Sequence, residues 1–472
     1  MILPGKIRRT IFFIFLVAFI LLSAISLQAQ NKIYLTMEES ISRALTKNNQ
    51  VRASEFAIKK ANWDKKNAWT LLFPTVSLST RFTWIDDSTF ALRDFSRYFR
   101  DMPEIPGIPS FEIPQTVFQE SYFTAFDVSM PLFNGSLLNN LFTANASKEM
   151  AIQLHESTRD NIIFQVISGY LNVLRNQEIL KLQKEYLQLS QLNYEKAERL
   201  YNAGRYSKTE ALRWKVDFQQ QKSVVVTSES TLRSSMTILT RLINMDIDEN
   251  VDFQAKIPQQ LIDESERIAT LSDNEILEMI RLNENELIQA NAALSAAKSN
   301  EEISKSLYRN SYASYLPNLS FNYSYAWREN STFDLDDYSP QTFMINLSVP
   351  IFTSFQNFTA SKSTYYDFKK SQEEFLDQLQ NTRFILTETA NKLINLKTQR
   401  ELSMANVEYN NHNYRTVEQQ KEKGLISNID FIDAKLNLQD ARLNDISTHY
   451  DFISAMLELY FLLGKLEYVI KP

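Results

Sequence analysis

Two long windows of this chain contain no proline: none lies between Pro131 and Pro258, and none between Pro350 and the terminal Pro472. Proline and glycine end helices and enable turns, so such windows favour uninterrupted helix. Each window has one glycine-centred turn, at Gly204 and at Gly424. Gly135 stands at the start of the first window and Gly464 near the end of the second. The first window therefore reads as a helix from Leu137 to Tyr201, a turn, and a return helix from about Ser207 to Asn244. The second reads as a helix from Asn357 to Lys423 and a return from Ser427 to about Leu463. The outward helix of the first window would be roughly 98 Å long at about 1.5 Å per residue, so it must belong to a coiled coil or a tube. Gly169 falls inside the helical pattern, and the spacing offers no reason for it.

Apolar residues recur in strict sevens. Val166, Val173, Leu180, Leu187, Tyr194 and Tyr201 form one series; Ile429, Leu436, Leu443, Tyr450 and Leu457 form another. Sevens imply packed, supercoiled neighbours. The second seam is frequently polar, at Gly169, Asn176, Gln183 and Ser190, which excludes a simple two-stranded zipper.

Four short segments alternate instead with a period of two. Val76, Leu78, Thr80, Phe82 and Trp84 share one face, opposite Ser77, Ser79, Arg81 and Thr83. Tyr122, Thr124, Phe126, Val128 and Met130 do the same within 122–130. Leu319, Phe321, Tyr323, Tyr325 and Trp327 alternate within 318–327, and Phe343, Ile345, Leu347 and Val349 within 342–349. Each is about nine or ten residues, the length of a tilted membrane strand. An apolar, aromatic face opposite a small, polar one is the pattern of a membrane β-barrel with a wet lumen. A soluble antiparallel sheet with one buried face alternates in the same way. Four strands cannot close a barrel and open edges are not tolerated in lipid, so a membrane reading requires an oligomer.

The N-terminus bears on that choice. Lys6, Arg8 and Arg9 precede an apolar run from Ile11 to Leu22, and small and polar residues follow to Ala29. This is the layout of a secretory signal peptide over residues 1–29; the run is shorter than the ~20 residues that a spanning anchor needs. The chain has no cysteine, which excludes disulfides, thiolate metal sites and a cysteine lipid anchor. Without the three cations of the leader, 47 basic residues face 56 acidic ones, a net charge of −9 that argues against nucleic acid as a partner.

The segments come in duplicate. Thr36-Met37-Glu38-Glu39 and Ser272-Asp273-Asn274-Glu275 both have the capping-box pattern. Leu72-Phe73-Pro74 pairs with Tyr315-Leu316-Pro317, Met130-Pro131-Leu132-Phe133 with Val349-Pro350-Ile351-Phe352, and Gly204-Arg205-Tyr206-Ser207 with Gly424-Leu425-Ile426-Ser427. Their offsets are 236, 243, 219 and 220. The first step puts seven extra residues, two coiled-coil turns, into the first long helix of the second copy. The drop of 24 gives the first copy a longer loop, about Asp86 to Gln119, with Pro103, Pro106, Pro109 and Pro114. The copies span residues 30–270 and 271–472.

These paired motifs, in this order and spacing, resemble the TolC-type outer-membrane efflux channel family from Leu35 to about Gly464. The resemblance implies a mainly α-helical homotrimer with a small membrane β part. Its 12-stranded β-barrel, four strands per subunit, would sit in outer-membrane lipid and continue as a long periplasmic α-helical barrel. Mixed short elements, about Met245 to Leu271, would girdle the middle. The duct would be a passive exit channel of a tripartite efflux pump or type I secretion system. Gly204, Arg205, Tyr206 and Ser207, with Gly424, Leu425, Ile426 and Ser427, would form the periplasmic tip that docks on an adaptor protein of an inner-membrane transporter. Asp430 and Asp433 match the acidic pair of the pore constriction. Thr209 and Glu210 match one side of a closed-state latch, but its tyrosine and arginine partners are replaced by Lys421 and Ile426; Lys421 could pair with Glu210. Independently of the family, both turn glycines suit helix caps, and the two acids suit a helix N-terminus.

No catalytic constellation emerges. His155, His412 and His449 stand apart from one another and outside any metal-protease motif, and no phosphate-binding glycine loop exists. Neither enzyme activity, cofactor nor metal is expected. The competing reading is a periplasmic coiled-coil scaffold or adaptor without a pore.

Overall fold

The computed structural model describes residues 33–96, 117–246, 251–329, 340–466 and 468. The expected leader and the four prolines of the long loop lie outside them. In chain order the elements are β1 (Ile33–Leu35), α1 (Met37–Lys47), α2 (Asn49–Thr70), β2 (Thr75–Trp84), α3 (Asp87–Arg93), β3 (Glu120–Phe133), α4 (Gly135–Asn202), α5 (Lys208–Leu242) and β4 (Val251–Phe253). There follow α6 (Gln259–Thr270), α7 (Asp273–Met279), α8 (Glu284–Ala290), α9 (Ala292–Ser311), β5 (Asn318–Glu329), β6 (Gln341–Ser348), α10 (Gln356–Glu422) and α11 (Asn428–Leu462). The two proline-free windows are thus helices of 68 and 35 residues, and of 67 and 35. Among the described residues no helix is long and apolar enough to cross a membrane.

Two compact units divide the chain. One holds the antiparallel sheet, in the order β2-β3-β5-β6. Its register aligns the apolar positions into continuous rows. Val76 faces Val128, Val128 faces Tyr323, and Tyr323 faces Phe343. Behind them, Ser77 faces Asp127 and Asp127 faces Ser324, whose hydroxyl donates to the Asp127 carboxylate at 2.7 Å. On the edge strands the apolar rows are open to the surroundings, Leu78 and Phe343 being each 70% exposed, whereas on β3 and β5 they are half-buried; among the described residues β2 and β6 have no partner on their outer sides. In the same unit, a Cβ on Gly135 would stand 2.7 Å from the end of the Leu316 side chain and 3.2 Å from the Ala313 Cβ, so α4 starts close against the turn before β5.

The other unit contains both helical turns and the short elements. Thr36 and Ser272 form the expected capping boxes. The first long helix of the second copy is not continuous, however. Where α2 runs for 22 residues, its counterpart breaks at Asn291 between α8 and α9. Asn291 leaves helical geometry at φ −110°, ψ 105°, and its side chain caps the new helix by accepting from the Leu294 amide at 3.0 Å. Gly464, at φ +64°, approaches the adjacent Ala290 carbonyl so closely that a Cβ there would lie 1.8 Å from the oxygen. The break therefore receives the end of α11, and the seven added residues do not simply extend a coiled coil.

The middle of this unit holds a parallel pair, β1 with β4, which local pattern did not specify. Tyr170 of α4 ties it in: its hydroxyl reaches the carbonyls of Gln254 at 2.8 Å and Leu35 at 3.2 Å, and its ring stands edge-on to Phe253. The heptad seams also differ from expectation. Val166 and Val173 are buried, but toward the turns Tyr201, Ile429 and Leu436 emerge onto the surface. The polar series Asn176, Gln183 and Ser190 is the buried one there, and α5 and α11 supply hydrogen-bond partners to Gln183 and Ser190.

Candidate functional site at the helical turns

Both turns are built in the same way. Gly204 and Gly424 take φ +71° and +73°, in the left-handed region that side chains resist. The Arg205 amide then donates to the Leu200 carbonyl at 2.8 Å and that of Leu425 to Gln420 at 2.9 Å; Gly204 and Gly424 donate to Tyr201 and Lys421. This is the Schellman pattern, which satisfies the last carbonyls of a helix. Nothing lies within 4 Å of a Cβ built on either glycine, so the backbone alone requires them. Ser207 and Ser427 then open the return helices as capping boxes with Glu210 and Asp430.

The expected docking residues split into two groups. Arg205 and Leu425 are exposed, with Leu425 at 70%. Tyr206 and Ile426 turn inward and pack on a buried cluster of Ala197, Trp214 and Phe431. That cluster joins the two hairpins, since Ala197 and Trp214 belong to the first and Phe431 to the second.

The acids hold different positions. Asp430 and Asp433 are both exposed. Asp430 Oδ2 accepts from the Ser427 hydroxyl at 2.7 Å and from its amide at 3.3 Å, so this residue is a helix cap as well as a surface acid. Asn437 and Asp440 continue the exposed side of α11. Glu210 uses Oε2 for its own cap, at 3.0 Å from the Ser207 amide, and accepts from the Asn428 side chain through Oε1 at 3.2 Å. Thr209 stands exposed beside it.

The suggested Lys421–Glu210 pair does not form in this chain. The Lys421 ammonium lies 4.1 Å from the Trp214 ring centroid and 3.8 Å from that of Phe431, in a cation–aromatic sandwich that spans the two hairpins. Burial pushes it down to about 8, helped by the nearby cations Lys196 and Lys435 and opposed by Asp217. The carboxylate of Glu210 is meanwhile taken up by its cap and by Asn428.

Farther from the turns come two polar layers. The Lys435 ammonium, with a side chain 1% exposed, lies 2.7 Å from both Asp217 oxygens and 3.1 Å from the Ser190 hydroxyl. One turn on, Gln183, Gln221 and Gln439 share hydrogen bonds: Gln221 and Gln439 both donate to Gln183 Oε1, at 2.6 and 2.7 Å. The lysine and the glutamines sit on the apolar face of their helices, a signal that spacing alone could have revealed. Among the described residues no group of His, Asp and Glu could hold a metal ion.

The chain matches the family described as outer membrane efflux protein over residues 40–244 and 284–465. No curated protein matches it. Among solved structures it resembles the CmeC outer membrane channel of Campylobacter jejuni, at 12% identity and TM-score 0.74 over 91% of this chain and 86% of that one. It also resembles the outer membrane protein VceC of Vibrio cholerae, at 13% and 0.72 over 91% and 96%. The open state of the MtrE outer membrane channel of Neisseria gonorrhoeae aligns at 15% and 0.69 over 91% and 89%.

Proposed function

The chain belongs to the outer membrane efflux protein family, and from that membership we propose that three copies form a passive exit duct for a tripartite pump or a type I secretion system. It is an outer membrane protein of efflux, with its helical part in the periplasm. The observation that carries the duct reading is the sheet. Its apolar rows are exposed on the edge strands β2 and β6 and half-buried on β3 and β5, its other face is mostly polar, and among the described residues both its edges lack partners. Lipid would cover the first, water the second, and further copies the edges. The four strands alternate in direction, so β6 of one copy would meet β2 of the next antiparallel. A ring of copies then closes without a parallel seam, and three copies give twelve strands.

At the helical turns, the exposed Arg205 and Leu425 suit contact with an adaptor protein, while Gly204, Ser207, Gly424 and Ser427 hold the turns in shape. Tyr206 and Ile426 support them from within. Asp430 and Asp433 would line the constriction. Repeated around a threefold axis, they make stacked carboxylate rings that favour cations. Thr209, Glu210 and Lys421 would hold the closed state, with Lys421 acting through aromatic rings. The chain carries no chemistry of its own, and the inner-membrane transporter supplies the energy.

Purified protein in a planar bilayer tests this directly. Trimers that dissociate only on heating, with steady conductance, are expected. Water-soluble protein without conductance would overturn the duct and favour a scaffold. Within the duct, Asp430→Ala with Asp433→Ala should move the reversal potential in a salt gradient toward zero.

A further inference from the structure

We propose that the protein holds anions with an apolar body in a cavity on the lumenal side of the duct, where α5 and α11 flank α4. The cavity belongs to a single copy, whereas its lumenal position rests on the duct reading above. It has a volume of about 620 Å³, within the range of small-molecule sites, and is open to the surroundings. Its lining is mostly apolar, with Phe164, Ile238, Leu242 and Tyr450. The charged residues in that lining are two cations, Arg175 and Arg241. Arg175 is already engaged: Nη1 donates to Asp451 Oδ1 at 3.2 Å and Nη2 to Asn172 Oδ1 at 2.8 Å. The guanidinium of Arg241 is exposed and, among the described residues, has no such partner. An apolar recess beside one uncommitted guanidinium fits a ligand with an apolar body and a single anionic group.

Gly169 gains a reason here that helix spacing did not supply. A Cβ on it would meet Leu239 and Leu242 at 3.5 and 3.7 Å, which is ordinary contact, so the packing of α4 on α5 does not demand glycine. Gly169 lines the cavity, however, and a large side chain there would take up its volume.

Two independent relations turn the cavity toward the lumen. The Tyr170 hydroxyl reaches the carbonyls of Leu35 and Gln254 at the β1–β4 pair, which belongs to the girdle outside the helical barrel. Ser168 and Asn172 line the cavity from positions two residues before and after Tyr170, about 160° round α4 from it. The cavity therefore opens on the side of α4 away from the girdle. On α11, steps of three and four residues lead from Asp430 and Asp433 by way of Asp440 and Asp451 to Ser454, so the cavity shares the side of α11 that carries the pore acids. Ser454 is 21 residues beyond Asp433, about 30 Å along the helix. The carboxylates near the turns oppose an anion in both directions, so the cavity does not select what enters. It holds an anion that the transporter has already driven past them.

Calorimetric titration of the full-length protein in nonionic detergent with naphthalenesulfonate tests the site. Saturable binding, one per chain, is expected, and none of comparable strength for naphthylmethylammonium, which has the same rings and the opposite charge. Arg241→Gln should bind the sulfonate at least about tenfold more weakly, the worth of one charge-assisted hydrogen bond. Gly169→Leu should abolish binding by filling the cavity. Unchanged affinity in Arg241→Gln, or equal binding of the two probes, would overturn the proposal. Should Gly169→Leu fail to assemble, the Arg241→Gln titration decides alone. The absence of cysteine makes the lumenal position testable as well. A charged methanethiosulfonate on Ser454→Cys should lower conductance in a planar bilayer; full labelling with unaltered conductance would place the cavity outside the lumen and refute that part. Absence of conductance in the unmodified protein would count against the duct, whereas the titration would still judge the cavity.

Discussion

Replacing Lys435 by methionine is the sharpest perturbation the structure offers. The side chain keeps most of its volume, so the buried site stays filled, but the ammonium is removed from two Asp217 oxygens at 2.7 Å. Asp217 is then a carboxylate without its partner. Breaking a buried pair on one side costs about 3–5 kcal/mol. The Asp217 side chain is still 14% exposed, so water reaches the orphan, and the loss should fall at the lower end, about 3 kcal/mol. Replacing both partners, as Asp217→Leu with Lys435→Met, removes the charge and its desolvation together; the double variant should recover to within about 1 kcal/mol of the native chain. Thermal melts of the detergent-solubilised protein, followed by helical circular dichroism, give the ranking. The native chain and the double variant should melt close together, and the single variant clearly below. If the double variant melts as low as the single one, packing of the lysine stem and not the ion pair sustains this layer. A single variant as stable as the native chain would refute the burial itself.

The glycines should separate by cause in the same assay. Gly424→Ala and Gly204→Ala meet no atoms but must hold a left-handed backbone, a loss of about 1 kcal/mol each. Gly169→Ala, with contacts of 3.5 and 3.7 Å, should be neutral or gain up to about 1 kcal/mol from helix propensity. Gly464→Ala should be the most damaging, because the Ala290 carbonyl occupies the position of its Cβ. Stability should also depend on pH at the alkaline end. Folded Lys421 releases its proton near 8 and the unfolded chain near 10.5, so the unfolded state holds more protons between these values and stability rises there. Lys421→Met should abolish the rise. Tyr170, Tyr414, Tyr450 and Tyr460 act in the opposite sense. Burial holds their hydroxyls protonated above the ordinary value of 10.0, so their contribution, complete below that pH, is lost as the pH climbs past it. Melting temperature against pH should therefore pass through a maximum, and in Lys421→Met only the fall should remain. Asp433→Asn should shift cation selectivity without changing stability, whereas Asp430→Asn should alter both, since Asp430 also caps α11; reversal potentials and melts read the two effects separately.

The long helices were legible because nothing competes with helix where proline is absent and one glycine marks the turn. The strands were legible from alternation, and their register in the sheet keeps each apolar row intact. The capping boxes at Thr36 and Ser272 were visible from the glutamate three residues on, whereas those at Ser207 and Ser427 were not read. The joints between elements were not. Lys421 was read as a partner for a carboxylate, yet it lies on Trp214 and Phe431, and no local spacing announces a contact between residues so far apart in sequence. The apolar sevens misled near the turns for a related reason. A heptad shows that a face is covered but not by what, and Ile429 and Leu436 face away from their own copy while Gln183 and Ser190 face into it. The break at Asn291 was hidden because what packs against it, the backbone of Gly464, is distant in sequence. The pairing of β1 with β4 involves three residues on each strand, too few to show a period.

Duplication gives the two turns the same frame, and one of the slots at which they diverge has a visible consequence. The third residue of each return helix caps it, as glutamate in the first copy and aspartate in the second. Glutamate is longer by one methylene, and its two oxygens do separate work. One closes the cap on Ser207, while the other reaches Asn428 and fastens the hairpins together. Aspartate is too short for such a span. It closes its cap through Oδ2 and remains exposed on α11 beside Asp433. The first copy thus spends its acid on holding the pair of hairpins, and the second presents its acid to the surroundings. An exact repeat could not do both, because one chain length cannot both bridge to the neighbouring helix and stay clear of it. The same division appears one layer away, where the first copy supplies the carboxylate Asp217 and the second the ammonium Lys435. The repeat counterparts of these two residues are Asn437 and Lys215, so the pair joins positions that duplication alone does not bring together.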